Sequence, residues 1–384
     1  MSCVKKSKQE TYNPYHQPNP EQIISLTQPT EDDKQKKPII RRTVDYHATI
    51  INYLETRPYF RTFREFKSIY PTTNAIRYMR PIPFEKGNES HGFCTKYVST
   101  SINKHKCAIN CLIWSPEGRR LITGNAMGQF TLWNGLKFNF DTILPAHEFP
   151  IRRMIWKYDD EILVSADSRG YIKYWTMNMK NLMNQRGHDE SINDMCFSPT
   201  YSKLASASAD GFLKVWDFFT LKAEQETRGH GWDVTTVDWH PSKSIIASGS
   251  KDNLIKLWCP RSGECIRSLH GHKNTVSCLK INKINGNWLL SGSKDQLIKV
   301  WDFRMMARGQ YDTIRAEIDE LSALSWHPHY EKLFVAGGKS GDIKYFVVGN
   351  SHTKKNCQAE IHKAHEQIIW DFAWHPLGHI LASS

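Results

Sequence analysis

The chain has 384 residues, 40% of them hydrophobic and 23% charged, and a formal net charge of +12. That apolar content supports a sizeable core and excludes wholesale disorder. No apolar run approaches the roughly 18 residues that span a bilayer, and the N-terminus MSCVKKSKQETYNPYHQ has no apolar stretch to serve as a signal peptide, so neither membrane insertion nor secretion is expected. The nine cysteines are odd in number and form no CxxC pair, which points away from a disulfide framework or a zinc ribbon and toward a reducing compartment. The charge is uneven: residues 1–104 carry 17 Lys+Arg against 10 Asp+Glu, while the other 280 carry 34 against 29. A more basic first quarter fits an anionic partner such as nucleic acid. A solvated basic extension is the plainer alternative.

Residues 1–43 are polar and basic, rich in Gln, Lys, Asn and Pro, with no apolar period. They are expected to be an arm that is largely disordered without partners. Over 44–70 (VDYHATIINYLETRPYFRTFREFKSIY) apolar residues recur at spacings of three and four, which predicts one or two short helices. Residues 71–94 contain Pro71, Pro81, Pro83 and Gly87 and read as a connector packing on the fold that follows.

From about residue 105 the chain repeats itself. Three units read GHDESINDMCFSPTYSKLASASADGFLKVWD (187–217), GHGWDVTTVDWHPSKSIIASGSKDNLIKLWC (229–259) and GHKNTVSCLKINKINGNWLLSGSKDQLIKVWD (271–302). Weaker copies end in FTLWN, IKYWT and IKYFV. The closing aromatics Trp133, Trp175, Trp216, Trp258, Trp301 and Phe346 are 42, 41, 42, 43 and 45 residues apart. This period, opened by Gly-His and closed by Trp-Asp, is the WD-repeat signature of one four-stranded blade per repeat. The fold class expected is therefore all-β, a seven-bladed WD40 β-propeller over 95–384. Its blades fall at 105–140, 147–181, 188–224, 230–267, 272–311, 314–350 and 365–384. The last has only two strands, and TKYVSTS (95–101) is predicted to close it, since a propeller avoids an open sheet edge. Completing the ring would take about twenty residues past Ser384, at ~40–45 per blade.

Within a unit, LASASADGFLKVWD alternates Leu and small residues with polar ones, as a half-buried strand does. A hydrogen-bonded chain of His, Ser, Asp and Trp is expected in three blades: His188, Ser206, Asp210 and Trp216; His230, Ser248, Asp252 and Trp258; His272, Ser291, Asp295 and Trp301.

Catalytic patterns are missing. Eight of the 17 histidines open repeats or follow Trp in Trp-His-Pro turns, and no HExxH, GxSxG, P-loop or GxGxxG occurs. His362 and His365 form an HxxH without a third ligand. No enzyme activity, cofactor, metal or small-molecule substrate is expected. Binding signals are clearer. Lys34, Lys36, Lys37, Arg41 and Arg42 form a short cationic run suited to phosphates, or to nuclear localisation. In LWNGLKFNFDTIL (132–144), Phe138 and Phe140 are expected on one side of the blade's outermost strand, one in the core and one free to stack on a base. WDFR (301–304) resembles a box by which some propellers dock, through an Arg here at 304, on a cullin-type ubiquitin-ligase adaptor.

GRRLITGNAMGQFTLWNGLKFNFDTILPAHEFPIR (118–152), AHEQIIWDFAWHPLGHIL (364–381), RRTVDYHATIINYLETR (41–57) and GHGWDVTTVDWHPSK (229–243) resemble the WD-repeat subunit of the cleavage and polyadenylation factor. The likeness extends over about 34–384 and includes NGLKFNF and HPLGHIL, which are not general WD-repeat features. It implies a non-enzymatic nuclear scaffold in mRNA 3′-end formation. Its expected partners are an AAUAAA-type signal in pre-mRNA, a zinc-finger subunit and a large multi-propeller subunit. The resemblance assigns base stacking to Phe140, further RNA contacts to Ile143 and Arg41, and the basic segment to Lys34, Lys36 and Lys37. Lysines stand where the family carries arginines, and a lysine lacks the planar fork that reads or stacks on a base. Thr30 replaces an aromatic contact and Ile102 a hydroxyl residue.

Overall fold

The computed structural model describes residues 89–157, 162–305, 309–349 and 357–384. The predicted arm and the helices over 44–70 lie outside the described residues. The part described is all-β. Among the described residues the one helix is the 3-10 turn Glu89–Gly92.

Six four-stranded antiparallel sheets follow one another in sequence, and a two-stranded sheet, Phe372–Trp374 with Leu381–Ser383, follows them. Six complete blades are therefore present. The strand predicted over 95–101 is not formed, and no strand is assigned there. Instead the preceding residues anchor that stretch by side-chain and backbone bonds. Cys94 Sγ donates to His379 O at 3.4 Å, and Tyr345 Oη donates to Cys94 O at 3.1 Å.

The innermost strands are Ile109–Trp114, Ile151–Lys157, Ile192–Phe197, Val234–Trp239, Val276–Ile281, Leu321–Trp326 and Phe372–Trp374. Each meets the next, and the last returns to the first. That junction is held without a shared strand. Leu112 N donates to Asp371 Oδ2 at 3.1 Å, Trp114 Nε1 to Ala373 O at 3.1 Å, and His375 Nε2 to Gly118 O at 3.2 Å. His375 Nδ1 accepts Leu377 N, so Nε2 carries the proton. Gly118 has φ +72°, and a Cβ there would lie 2.4 Å from the His375 ring, so glycine is required twice over. His327 repeats the arrangement against Gly378 O at 3.0 Å. These Trp-His-Pro histidines are staples between blades.

The period-two pattern has a different cause from the one the sequence implied. The second strand Lys203–Ser208 is buried on both faces: Leu204, Ala205 and Ala207, but also Ser206 and Ser208, are fully shielded. The apolar side meets a neighbouring blade, while Ser206 is consumed in a hydrogen-bond chain, so both sides must be small. Blade boundaries also move. The outermost strands Asn181–Arg186 and Ala223–Arg228 run past the predicted ends at 181 and 224. Their exposed polar sequences, NLMNQR and AEQETR, carry little apolar signal to read.

All three predicted chains form. In the third blade Trp216 Nε1 donates to Ser206 Oγ at 2.9 Å, Ser206 Oγ meets His188 Nε2 at 2.7 Å, and His188 Nδ1 meets Asp210 Oδ2 at 2.8 Å. The corresponding bonds of His230 and His272 span 2.6 to 3.1 Å. A fourth chain, His147, Ser165, Asp167 and Trp175, was hidden because its Asp sits two residues earlier, on the strand rather than in the turn. Burial lowers the pKa of His147, His230 and His272, and pushes His327 down to about 3. Desolvation works against the Asp210 carboxylate, but the bonds from His188 and Phe212 N hold it below the usual range.

A neutral buried histidine binds its proton later than an unfolded one, so in acid below about pH 6.5 the unfolded chain holds more protons and gains on the native state. The depressed aspartates add to this at lower pH. The urea midpoint is expected to stay level from about pH 8 to 7 and to fall steeply by about pH 5. A midpoint that rises on acidification would contradict the assignment.

Candidate nucleic-acid interface

Of the predicted site residues, Phe140 and Ile143 are described. Both lie on Phe140–Pro145, the outermost strand of the first blade. The turn before it changes the reading of the two phenylalanines. Phe138 is not on the strand. It sits in the turn at φ 54°, where its N–H donates to Asn134 O at 2.8 Å. Its side chain packs against a cluster containing Leu112, Trp114 and Ala373. That packing compensates the left-handed backbone, a conformation uncommon outside glycine. Strand alternation therefore does not relate Phe138 to Phe140.

Phe140 opens the strand and is 51% exposed. It pairs with Trp133, and the next pair is Thr142 with Leu132, so Asp141 is the extra residue of a bulge. The Trp133 ring meets the Phe140 ring edge-on, with centroids 6.0 Å apart at 84°. One edge of Phe140 is thus fixed by a buried indole while the rest of the ring faces solvent, a geometry suited to stacking. Ile143 is half-buried opposite Thr131. Asp141, next to Phe140 in the chain, pairs with Arg120, Nε to Oδ2 at 3.5 Å, and Lys137 in the preceding turn is exposed.

A second segment meets this turn. Ser101 Oγ donates to Phe138 O at 3.3 Å, which brings Ile102, 76% exposed, alongside. Tyr97, 71% exposed, lies on the same segment. Sequence reasoning did not single out Tyr97 or Arg120. Arg120 is brought beside Phe140 only by folding, through its pairing with Asp141. Lys34, Lys36, Lys37 and Arg41, together with Thr30, lie outside the described residues.

The alternative docking box is engaged internally. Arg304 clasps Asp302, with Nε at 3.0 Å from Oδ1 and Nη2 at 2.7 Å from Oδ2, and its guanidinium lies 5.4 Å over the Trp288 ring. The HxxH histidines diverge: His362 Nε2 pairs with Glu360 at 2.8 Å, and His365 Nε2 bonds Ser383 Oγ at 2.7 Å. Among the described residues no three His, Cys, Asp or Glu gather as metal ligands.

Comparison with known proteins agrees with this architecture. The family model "WD domain, G-beta repeat" matches residues 96–134, 179–217, 221–259 and 263–302. A protein of Schizosaccharomyces pombe named Polyadenylation factor subunit 2 is 40% identical over 371 residues, covering 91% of this chain and 72% of its own. Proteins of that name from Candida albicans and Neurospora crassa are each 38% identical, over 76% and 89% of this chain. The chain belongs to the polyadenylation factor subunit 2 family. It spans 57% and 56% of the Candida and Neurospora relatives' lengths. Membership does not favour the ubiquitin-ligase alternative, and neither does the closed Arg304–Asp302 pair. In this member of the polyadenylation factor subunit 2 family, Phe140 presents a half-exposed ring, held at one edge by a buried indole, on the first outer strand.

Proposed function

We propose that this chain is a non-enzymatic RNA-binding scaffold subunit of the nuclear mRNA 3′-end cleavage and polyadenylation machinery, helping to recognise an AAUAAA-type signal in pre-mRNA. The observation that carries the reading is Phe140, an aromatic ring left open to solvent and braced by Trp133, in a chain whose relatives are named Polyadenylation factor subunit 2. A base stacks on Phe140, and Ile143 contributes apolar contact beside it. Lys34, Lys36, Lys37 and Arg41 supply phosphate pairing, which adds affinity without reading sequence. A zinc-finger subunit and a large multi-propeller subunit are the partners. Enzymatic chemistry has no part in this mechanism.

The test is RNA binding with the zinc-finger partner present, across a salt series. Lys36→Ala and Lys37→Ala are each expected to weaken binding to signal and scrambled RNA alike, and to reduce the log–log salt slope by about 1. Other polyadenylation subunits are expected to co-purify with the tagged chain. Equal affinity of the parent protein for AAUAAA-type and scrambled RNA would defeat the reading.

A further inference from the structure

The mouth of the axial channel departs twice from an otherwise uniform ring. One equivalent position, at or just before the start of each innermost strand, lines the channel. In five sectors it holds Asn110, Asn193, Thr235, Ser277 or Ser322, and each side chain donates to a backbone carbonyl of the next sector. Asn110 Nδ2 reaches Ile151 O and Asn193 Nδ2 reaches Val234 O, both at 2.8 Å. Thr235, Ser277 and Ser322 bond the carbonyls of Val276, Leu321 and Ile369. These five are committed to holding the ring together.

The other two positions hold Arg152 and Trp370. Arg152 is exposed and has no ion-pair or hydrogen-bond partner among the described residues. Trp370 is 44% exposed. Their chain neighbours are joined across the channel, Arg153 Nη1 to Asp371 Oδ2 at 3.0 Å, and both side chains line one cavity of about 290 Å³. The remaining charges in that lining cancel. Asp194 and Asp371 are matched by Arg153 and Lys280, and Lys294 lies 3.5 Å from Glu320. The single uncompensated charge is the Arg152 guanidinium, in a cavity that the open Trp370 indole also lines.

A cation beside an apolar ring recognises an anionic group carried next to an apolar one. We propose that this channel mouth docks an extended peptide segment of a partner protein, a single Asp or Glu side chain pairing with Arg152 and a neighbouring apolar side chain covering Trp370. A carboxylate brings one charge, which Arg152 matches. A nucleic-acid chain brings a run of them, and the turn supplying Glu320 also carries Glu317 and Asp319, which repel a polyanion. The site is separate from Phe140 and does not depend on the RNA reading.

The test selects random dodecapeptides displayed on phage against the full chain, then measures synthetic copies by fluorescence anisotropy. Enriched peptides are expected to share an acidic residue beside an apolar one. They should lose at least tenfold in affinity when that acid is changed to its amide, and on Arg152→Glu or Trp370→Ala. Changing the peptide acid to Lys should restore binding to the Arg152→Glu protein. Both substitutions alter exposed side chains, and an unchanged thermal midpoint verifies folding. Phe140→Ala should leave peptide binding intact. The proposal is overturned if nothing enriches over the doubly substituted protein, if the enriched peptides lack the acid or bind the variants equally, or if the two variants lose RNA binding instead.

Discussion

Replacing Asp194 with alanine is expected to lower the unfolding free energy by about 3–5 kcal/mol, the range for breaking a buried ion pair from one side. Asp194 is 5% exposed on the innermost strand of the third blade. It ties three other blades together. Oδ1 lies 2.9 Å from Arg153 Nε and Oδ2 lies 3.6 Å from Lys280 Nζ, while Oδ2 also accepts Thr236 Oγ1 at 2.8 Å and Val237 N at 3.2 Å. Desolvation opposes its charge, yet Lys280, Arg153 and the two donors hold its pKa below the usual value. Alanine removes the acceptor and leaves two cations, a hydroxyl and a backbone N–H without it. Asparagine keeps an acceptor for Thr236 and Val237 and is expected to cost less. Urea unfolding of the three proteins measures this. An alanine variant within about 1 kcal/mol of the parent would show that water or Asp371 replaces Asp194 at little cost.

Phe140→Ala is expected to weaken binding of AAUAAA-type RNA by about 1–3 kcal/mol, roughly 5- to 150-fold, with no loss of fold. The ring is half-exposed at the start of an outer strand, and its only described ring contact is the edge of Trp133. Truncation therefore leaves no cavity in the core. The loss should be concentrated on the specific signal and leave the salt slope alone, because a stacked base releases no counterion. Phe140→Trp should retain most of the affinity. Undiminished binding by a folded Phe140→Ala protein, measured with the zinc-finger partner, would remove Phe140 from the RNA site.

The repeat was legible because its strongest marks are local. Trp133, Trp175, Trp216, Trp258, Trp301 and Phe346 all lie buried on third strands. The Gly-His openings meet their Ser, Asp and Trp partners within one blade, at offsets that hardly vary. The tetrad of His147 escaped notice only because Asp167 departs from that offset. Less legible was whatever depended on a bond between distant segments. Phe138 and Phe140 look equivalent in NGLKFNF, and only the left-handed turn and its packing on Leu112 and Trp114 send one inward and leave the other open. TKYVSTS has a strand's composition, but its neighbourhood is fixed by bonds of Cys94 and Ser101 that no spacing foretells.

By itself, then, the order of residues determined the all-β class, the blade period, the identity of three of the four His–Ser–Asp–Trp chains, and the kinship that directs attention to Phe140. Tertiary structure alone decided that Arg304 is closed on Asp302, that Asp194 ties neighbouring blades, and that Arg152 and Trp370 share one cavity from segments more than two hundred residues apart. The division has a physical origin. Hydrogen bonds within a blade link residues at a fixed and short separation, so they imprint a period. Contacts around the ring axis join residues whose separation is set by how many blades intervene, and that leaves no local pattern to read.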